Sequence, residues 1–74
     1  MFKEMSENQI LLYVIKNLKE LRKKEFQLLI DELHPYDIAN VYKNLPEKHR
    51  HKFVTFLTTR QIASLIQELE SDLQ

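Results

Sequence analysis

Cysteine and glycine are both absent from this chain of 74 residues. Without cysteine there is no disulfide scaffold, thiol catalysis or zinc knuckle, and the absence fits a reducing compartment. Phosphate-cradling loops, dinucleotide fingerprints, nucleophile elbows and EF-hand loops need glycine where the backbone takes positive φ or closely approaches a ligand. These sites are therefore disfavoured together, and we expect that the chain is not an enzyme.

Long apolar runs and an excess of either charge are also lacking. The longest apolar run covers only residues 10–15, whereas a membrane-spanning helix needs about 20. The first residues show no basic segment leading into an apolar stretch of signal-peptide type. Eleven basic residues balance eleven acidic ones, while nucleic-acid binders usually show a basic excess. We therefore expect a cytoplasmic single domain over residues 1–74, with no nucleic-acid partner.

Capping residues and prolines predict where the helices begin. Ser6 with Gln9, and Thr58 with Gln61, have the spacing of capping boxes. A first helix is predicted to run to about residue 21, and a second over about residues 24–33. Pro35 suits the first position of a third helix, where its missing N–H is not needed, and Pro46 is predicted to repeat this start for a fourth. The fifth helix follows the second capping box.

A ladder of leucines spaced twelve residues apart sets the architecture: Leu21, Leu33, Leu45, Leu57 and Leu69. On one continuous helix neighbouring leucines would lie about 120° apart, so they would form no stripe. The chain is therefore expected to turn once per repeat. Within the repeats, apolar residues recur at the spacing of one helical face, with Arg50 as the exception, and Ala39 and Ala63 hint at a repeat of two helices. These features predict an all-α, right-handed-type superhelical stack of about five short helices.

The three histidines do not form an obvious metal site. His49 and His51 are two residues apart and would point about 200° away from each other on a helix, so they cannot easily share a metal. His34 falls at a turn between two predicted helices. We expect exposed histidines, with His34 closing a helix end, rather than a zinc or catalytic site.

Charged segments offer weaker candidates. Residues 48–52 are basic, as is much of residues 16–24, and a solvated face is favoured over a nucleic-acid or lipid contact because no aromatic residues interleave. Glu68, Glu70 and Asp72 make the C-terminal end acidic. Carboxylates suit hard cations such as Mg²⁺, although an ordinary polar helix end explains them as well.

Three segments carry a family resemblance: Leu-His-Pro-Tyr-Asp-Ile-Ala at residues 33–39, Asn-Leu-Pro-Glu at 44–47 and Ile-Ala-Ser-Leu-Ile-Gln-Glu-Leu at 62–69. They resemble the N-terminal cytoplasmic domain of MgtE-type magnesium transporters, which begins His-Pro-x-Asp-[Ile/Leu]-Ala and continues with Leu-Pro. The resemblance covers about residues 25–74. The leucine and alanine repeats are generic to helical solenoids, and flagellar motor-switch proteins contain a similar module.

The resemblance implies a superhelical domain that binds regulatory Mg²⁺ at acidic interfaces shared with paired CBS modules. Its partners would be a CBS domain and the membrane pore of the same or another chain. Asp37 and the acidic end (Glu68, Glu70, Asp72) become the candidate metal residues, while Ser64 stands where the family often carries glutamate. The alternative is a protein-interaction scaffold of motor-switch or adaptor type with no metal role.

The C-terminal end falls just inside what would be the next repeat. We therefore expect a truncated or short stand-alone relative of the family. A stack cut at that point would leave an apolar terminal face, which predicts weak self-association.

Overall fold

The computed structural model describes residues 5–72, leaving out the side chain of Asp72. Within that range the secondary structure consists of five helices and no strand, which confirms the all-α prediction. The helices are α1 (Glu7–Lys19), α2 (Lys23–Glu32), α3 (Pro35–Asn44), α4 (Glu47–Phe56) and α5 (Thr59–Asp72).

Both predicted capping boxes form. The backbone N–H of Gln9 donates to Ser6 Oγ at 3.2 Å, and Ser6 N–H donates to Gln9 Oε1 at 2.8 Å. Thr58 and Gln61 exchange the same two bonds at the start of α5. Pro35 opens α3 as expected, but Pro46 differs from its prediction. It is the N-cap residue before α4, and Glu47 is the first residue of that helix.

The middle of the leucine ladder marks the turns of the chain. Leu33, Leu45 and Leu57 are the C-caps of α2, α3 and α4, each in extended backbone with ψ of 144°, 138° and 152°. At Leu45 the cause is local, because the proline that follows disfavours helical backbone. Leu69 breaks the pattern, since it lies inside α5, which continues to Asp72.

Leu21 forms a different kind of turn. Its φ is 57°, in the left-handed region that favours glycine. Arg22 N–H donates to the carbonyl of Asn17 at 2.8 Å and Leu21 N–H to that of Leu18 at 3.4 Å, the two bonds of a Schellman motif. Helix α1 therefore ends at Lys19, earlier than predicted, and the Leu21 side chain is 65% exposed rather than part of the core.

The core lies where α1 packs against α2, α3 and α4, α2 against α4, and α3 against α5. Phe26 of α2 is fully buried at its centre, with edge-to-face contacts to Phe53 and Phe56 at 5.4 Å each. Contacts between alternate helices are what a two-helix repeat predicts, yet Ala39 is buried and Ala63 exposed, so these shared positions are not equivalent. The right-handed superhelix stays a prediction.

Arg50, the one polar residue at an expected apolar position, joins α4 to the end of α3. Its Nη2 donates to the carbonyl of Lys43 at 3.0 Å and its Nε to that of Leu45 at 3.3 Å. Its guanidinium also lies 5.2 Å from the centre of the Tyr42 ring. The cation thus satisfies carbonyls that the end of α3 leaves without helical partners, which an apolar side chain could not do.

Candidate cation-binding groove

A surface groove of about 150 Å³ runs between α1 and α3. Helix α3 contributes Asp37, Asn40 and Asn44, whose spacing of three and four residues places them on one face. Glu7 and Asn8 come from the first turn of α1. Apolar side chains of both helices complete the lining: Ile10, Leu11 and Val41. The groove therefore combines an apolar wall with a row of side-chain oxygens.

Two exposed carboxylates, those of Glu7 and Asp37, flank the groove. Each lies in the first turn of its helix, where the positive end of the helix dipole favours negative charge. The start of α3 is held in place because His34 Nδ1 accepts a hydrogen bond from Tyr36 N–H at 3.0 Å, and the His34 carbonyl accepts from Asp37 N–H at 2.8 Å. Neither carboxylate has an ion-pair partner among residues 5–72.

The asparagines supply further oxygen atoms. Asn44 Nδ2 donates to the carbonyl of Asn40 at 2.8 Å and lies 3.5 Å from Asn40 Oδ1. Because that bond occupies the amide nitrogen of Asn44, its Oδ1 remains an acceptor for a ligand or for water. Carboxylate and amide oxygens are the donors that hard cations prefer.

The groove fits a hydrated divalent cation better than a dehydrated one. In the part of the chain that the structure describes, no group of three or more His, Cys, Asp or Glu residues could hold a metal. Mg²⁺ usually keeps several waters and is bound through one or two carboxylates, and Glu7 and Asp37 supply two. The residues present therefore suit an ion held partly through its water shell.

The sequence candidates separate into two places. Asp37 lines the groove, whereas Glu68 and Glu70 do not; Glu68 is half-buried and Glu70 exposed on α5. The side chain of Asp72 lies outside the described residues. Glu7 is not among the sequence candidates, because the capping box at Ser6 indicates only a helix start and it is tertiary packing that brings Glu7 and Asp37 to the same groove.

The histidines do not join this groove. The side chain of His34 caps the start of α3, whereas the C-cap of α2 is Leu33. His51 is exposed and His49 half-buried on α4. Desolvation by burial, followed by the charges of Lys48, Lys19 and Lys52, lowers the pKa of His49.

Comparison with known proteins supports the family resemblance of the segment that opens α3. The family model described as the MgtE intracellular N domain matches residues 33–74. A curated relative, the magnesium transporter MgtE of Bacillus subtilis (strain 168), is 38% identical over all 74 residues, which span only 16% of that protein's length. No solved structure gives a significant match.

These features define a small all-α domain with an acidic surface groove. The chain belongs to the MgtE intracellular N domain family. Neither the family description nor the relative's name refers to a chemical reaction. No helix in residues 5–72 is both long and apolar enough to cross a membrane.

Proposed function

We propose that this chain is a regulatory, Mg²⁺-sensing intracellular module of a magnesium transporter or channel, which gates by domain association. It has no catalytic role and works at the cytoplasmic face of the membrane. The family match carries the proposal, because it covers the segment that opens α3. Asp37, one of the residues that line the groove, belongs to that segment. The relative of 38% identity, a magnesium transporter, supports the choice of ion.

The mechanism follows from the charges of the groove. Glu7 and Asp37 would repel a second acidic surface, and a divalent cation between the two surfaces removes that repulsion. The second surface would come from a CBS domain of the same or another chain, linked to the membrane pore. Bound Mg²⁺ would then favour the associated, closed form, because the ion binds that form more tightly than the separated one.

Two carboxylates and a few amide oxygens provide only part of a coordination shell. The isolated module should therefore bind Mg²⁺ weakly, with water filling the remaining positions. A partner that adds carboxylates would raise the affinity, which makes the ion and the partner mutually dependent ligands. Cellular Mg²⁺ would in this way control how the domain associates.

The test is a titration of the ¹⁵N-labelled chain with MgCl₂ into the millimolar range, followed by NMR at constant ionic strength. We expect saturable shifts centred on Glu7, Asp37 and Asn40, and their loss in the double variant E7Q/D37N. The matched control is E68Q/E70Q, which removes the same number of carboxylates from α5. That variant should bind as the wild type does.

The control also tests the acidic end as a site. Loss of the shifts in E68Q/E70Q alone would move the ion to α5 and refute the groove assignment. A wild-type chain without saturable shifts would favour the interaction scaffold with no metal role. Sedimentation measures the predicted weak self-association separately, and a clean monomer at high concentration would contradict it.

A further inference from the structure

The fold brings together two basic segments that are far apart in the sequence. Helix α1 ends with Lys19 in its last turn and packs against α4. On α4, Lys48 and Lys52 are four residues apart and therefore share a face. His49 lies beside them, and after its burial the charges of Lys48, Lys19 and Lys52 are what lower its pKa. We call Lys19, Lys48, His49 and Lys52 the basic surface.

The basic surface has no counter-charge within the described part of the chain. The one ion pair in residues 5–72 joins Arg22 and Glu20 at 2.7 Å. The lysines of the basic surface are exposed, and no described carboxylate lies within ion-pair distance of them. Because the whole chain has a formal net charge of zero, the excess of positive charge here is local and arises from the way the helices pack.

We propose that the basic surface is a docking site for an acidic polypeptide segment. Carboxylates would form charge-assisted hydrogen bonds with the three ammonium groups and relieve the repulsion among them. The matched relative is much longer than this chain, since the alignment covers 16% of it. A domain of this family therefore has neighbouring polypeptide against which such a surface can pack.

Two other anionic partners fit the surface less well. Single-stranded nucleic acid is usually held by aromatic side chains that stack on bases, and the basic surface contains none. Stable membrane anchoring takes a substantial apolar group together with a basic patch. The nearest exposed large hydrophobic residue in the sequence is Leu21, two positions after Lys19, and a single leucine is too small an apolar group for such anchoring.

The probe is a polyglutamate peptide, measured against the full chain at low ionic strength without divalent ions. We expect saturable binding that weakens as salt is added, because the contacts are exposed and screened. His49 serves as the internal reporter. Peptide carboxylates offset the neighbouring lysines, so the pKa of His49 measured by NMR should rise when the peptide is bound.

Paired variants locate the site. K19Q/K52Q removes two charges from the basic surface and should weaken binding about fivefold, as expected for two exposed ion pairs. K23Q/K24Q removes two charges from α2, and neither lysine is among the groups that lower the pKa of His49. This control should change the affinity less than about twofold. Thermal melts of both variants establish that they remain folded.

Three results would overturn the proposal. The first is an equal loss of peptide affinity in the two double variants. The second is a His49 pKa that saturating peptide leaves unchanged. The third is tighter binding to duplex DNA or to phosphatidylglycerol vesicles than to polyglutamate. Since no Mg²⁺ is present, the outcome does not depend on the cation groove. Failure here and failure of the proposed function are therefore separate results.

Discussion

Gln27 of α2 and Gln61 of α5 exchange two side-chain hydrogen bonds, each 3.0 Å long. Gln27 also donates to the carbonyl of Phe56 at 2.8 Å, at the end of α4. Gln61 in turn closes the capping box with Thr58. One pair of amides therefore connects three helices and fixes the corner between α4 and α5 against α2.

Removing either amide should destabilise the fold. We expect Q27A and Q61A each to lower the free energy of unfolding by about 1–2 kcal/mol, because partners in a part-buried site lose their hydrogen bonds. Urea unfolding measures the effect, and the double variant should lose less than the sum of the two single variants. Q67A, at an exposed position of α5, is the control and should stay within about 0.5 kcal/mol of the wild type.

Substitution by glycine should have opposite effects on fold stability at Leu21 and Leu28, although both side chains are exposed, at 65% and 62%. Leu21 has φ of 57°, a conformation that costs a non-glycine residue about 1 kcal/mol. L21G should therefore stabilise the fold by about 0.5–1 kcal/mol. Leu28 lies within α2, where glycine should cost about 1 kcal/mol. Thermal or urea unfolding tests both, and a destabilised L21G would contradict the prediction.

The guanidinium group of Arg50 should be needed for full stability of the fold. R50A removes the two hydrogen bonds to the end of α3 and the contact with Tyr42, so we expect a loss of about 1–2 kcal/mol in unfolding free energy. R50K should recover only part of it, since an ammonium lacks the planar fork. R60A, at an exposed position in the first turn of α5, is the control. A lysine variant as stable as the wild type would show that charge alone suffices.

Asn17 is a polar residue in the core. It is 2% exposed, and its Nδ2 has no hydrogen-bond partner. Leucine has the same branched shape as asparagine, although it is larger, and it would remove the unpaired amide, so N17L should raise the free energy of unfolding by about 1–2 kcal/mol. N17D would place a carboxylate there and should lower it. The urea midpoints of the two variants measure these effects, and a destabilised N17L would contradict the prediction.

His49 should make the stability depend on pH. Its pKa is lowered in the folded state, by burial and then by Lys48, Lys19 and Lys52. Between that value and the ordinary histidine pKa of about 6.5, the unfolded chain binds more protons, so stability falls as pH falls. The neutral histidine makes its full contribution to stability above about pH 6.5. That contribution is lost as the pH falls through the pKa of His49 in the folded state.

Urea unfolding at pH 7 and pH 5 tests this titration. H49Q should lose less stability than the wild type on acidification. K48Q should raise the pKa of His49 seen by NMR and reduce the pH dependence, whereas K24Q on α2 should do neither. Identical pH profiles for the wild type and H49Q would refute the assignment.

Local chemistry explains why the helices were predictable. A capping hydroxyl and a glutamine three residues later satisfy the free N–H groups at a helix start, so Ser6 and Thr58 located α1 and α5. Proline at position 46 pushes Leu45 into extended backbone, which marks the end of α3. The family, too, was recognisable from the short segment that opens α3, and the match to residues 33–74 confirms it.

Other features depend on residues that meet only in the folded chain. Leu21 looked like a ladder residue, but a Schellman turn of α1 places it in solvent. Arg50 is an exception to the apolar pattern of the sequence, and the structure explains it, because its side chain donates hydrogen bonds to carbonyls at the end of α3. Both cases depend on backbone groups of neighbouring turns, which a pattern of side chains does not describe.

The sequence by itself determined the all-α class, the approximate helix starts and the family, because caps, prolines and apolar periodicity act over a few residues. The tertiary structure alone decided which charges are neighbours. It brought Glu7 and Asp37 to one groove, and it brought the charges of Lys19 and Lys48 to the surroundings of His49. Electrostatic interactions depend on distance in space, and residues about thirty apart in the chain become neighbours only when helices pack.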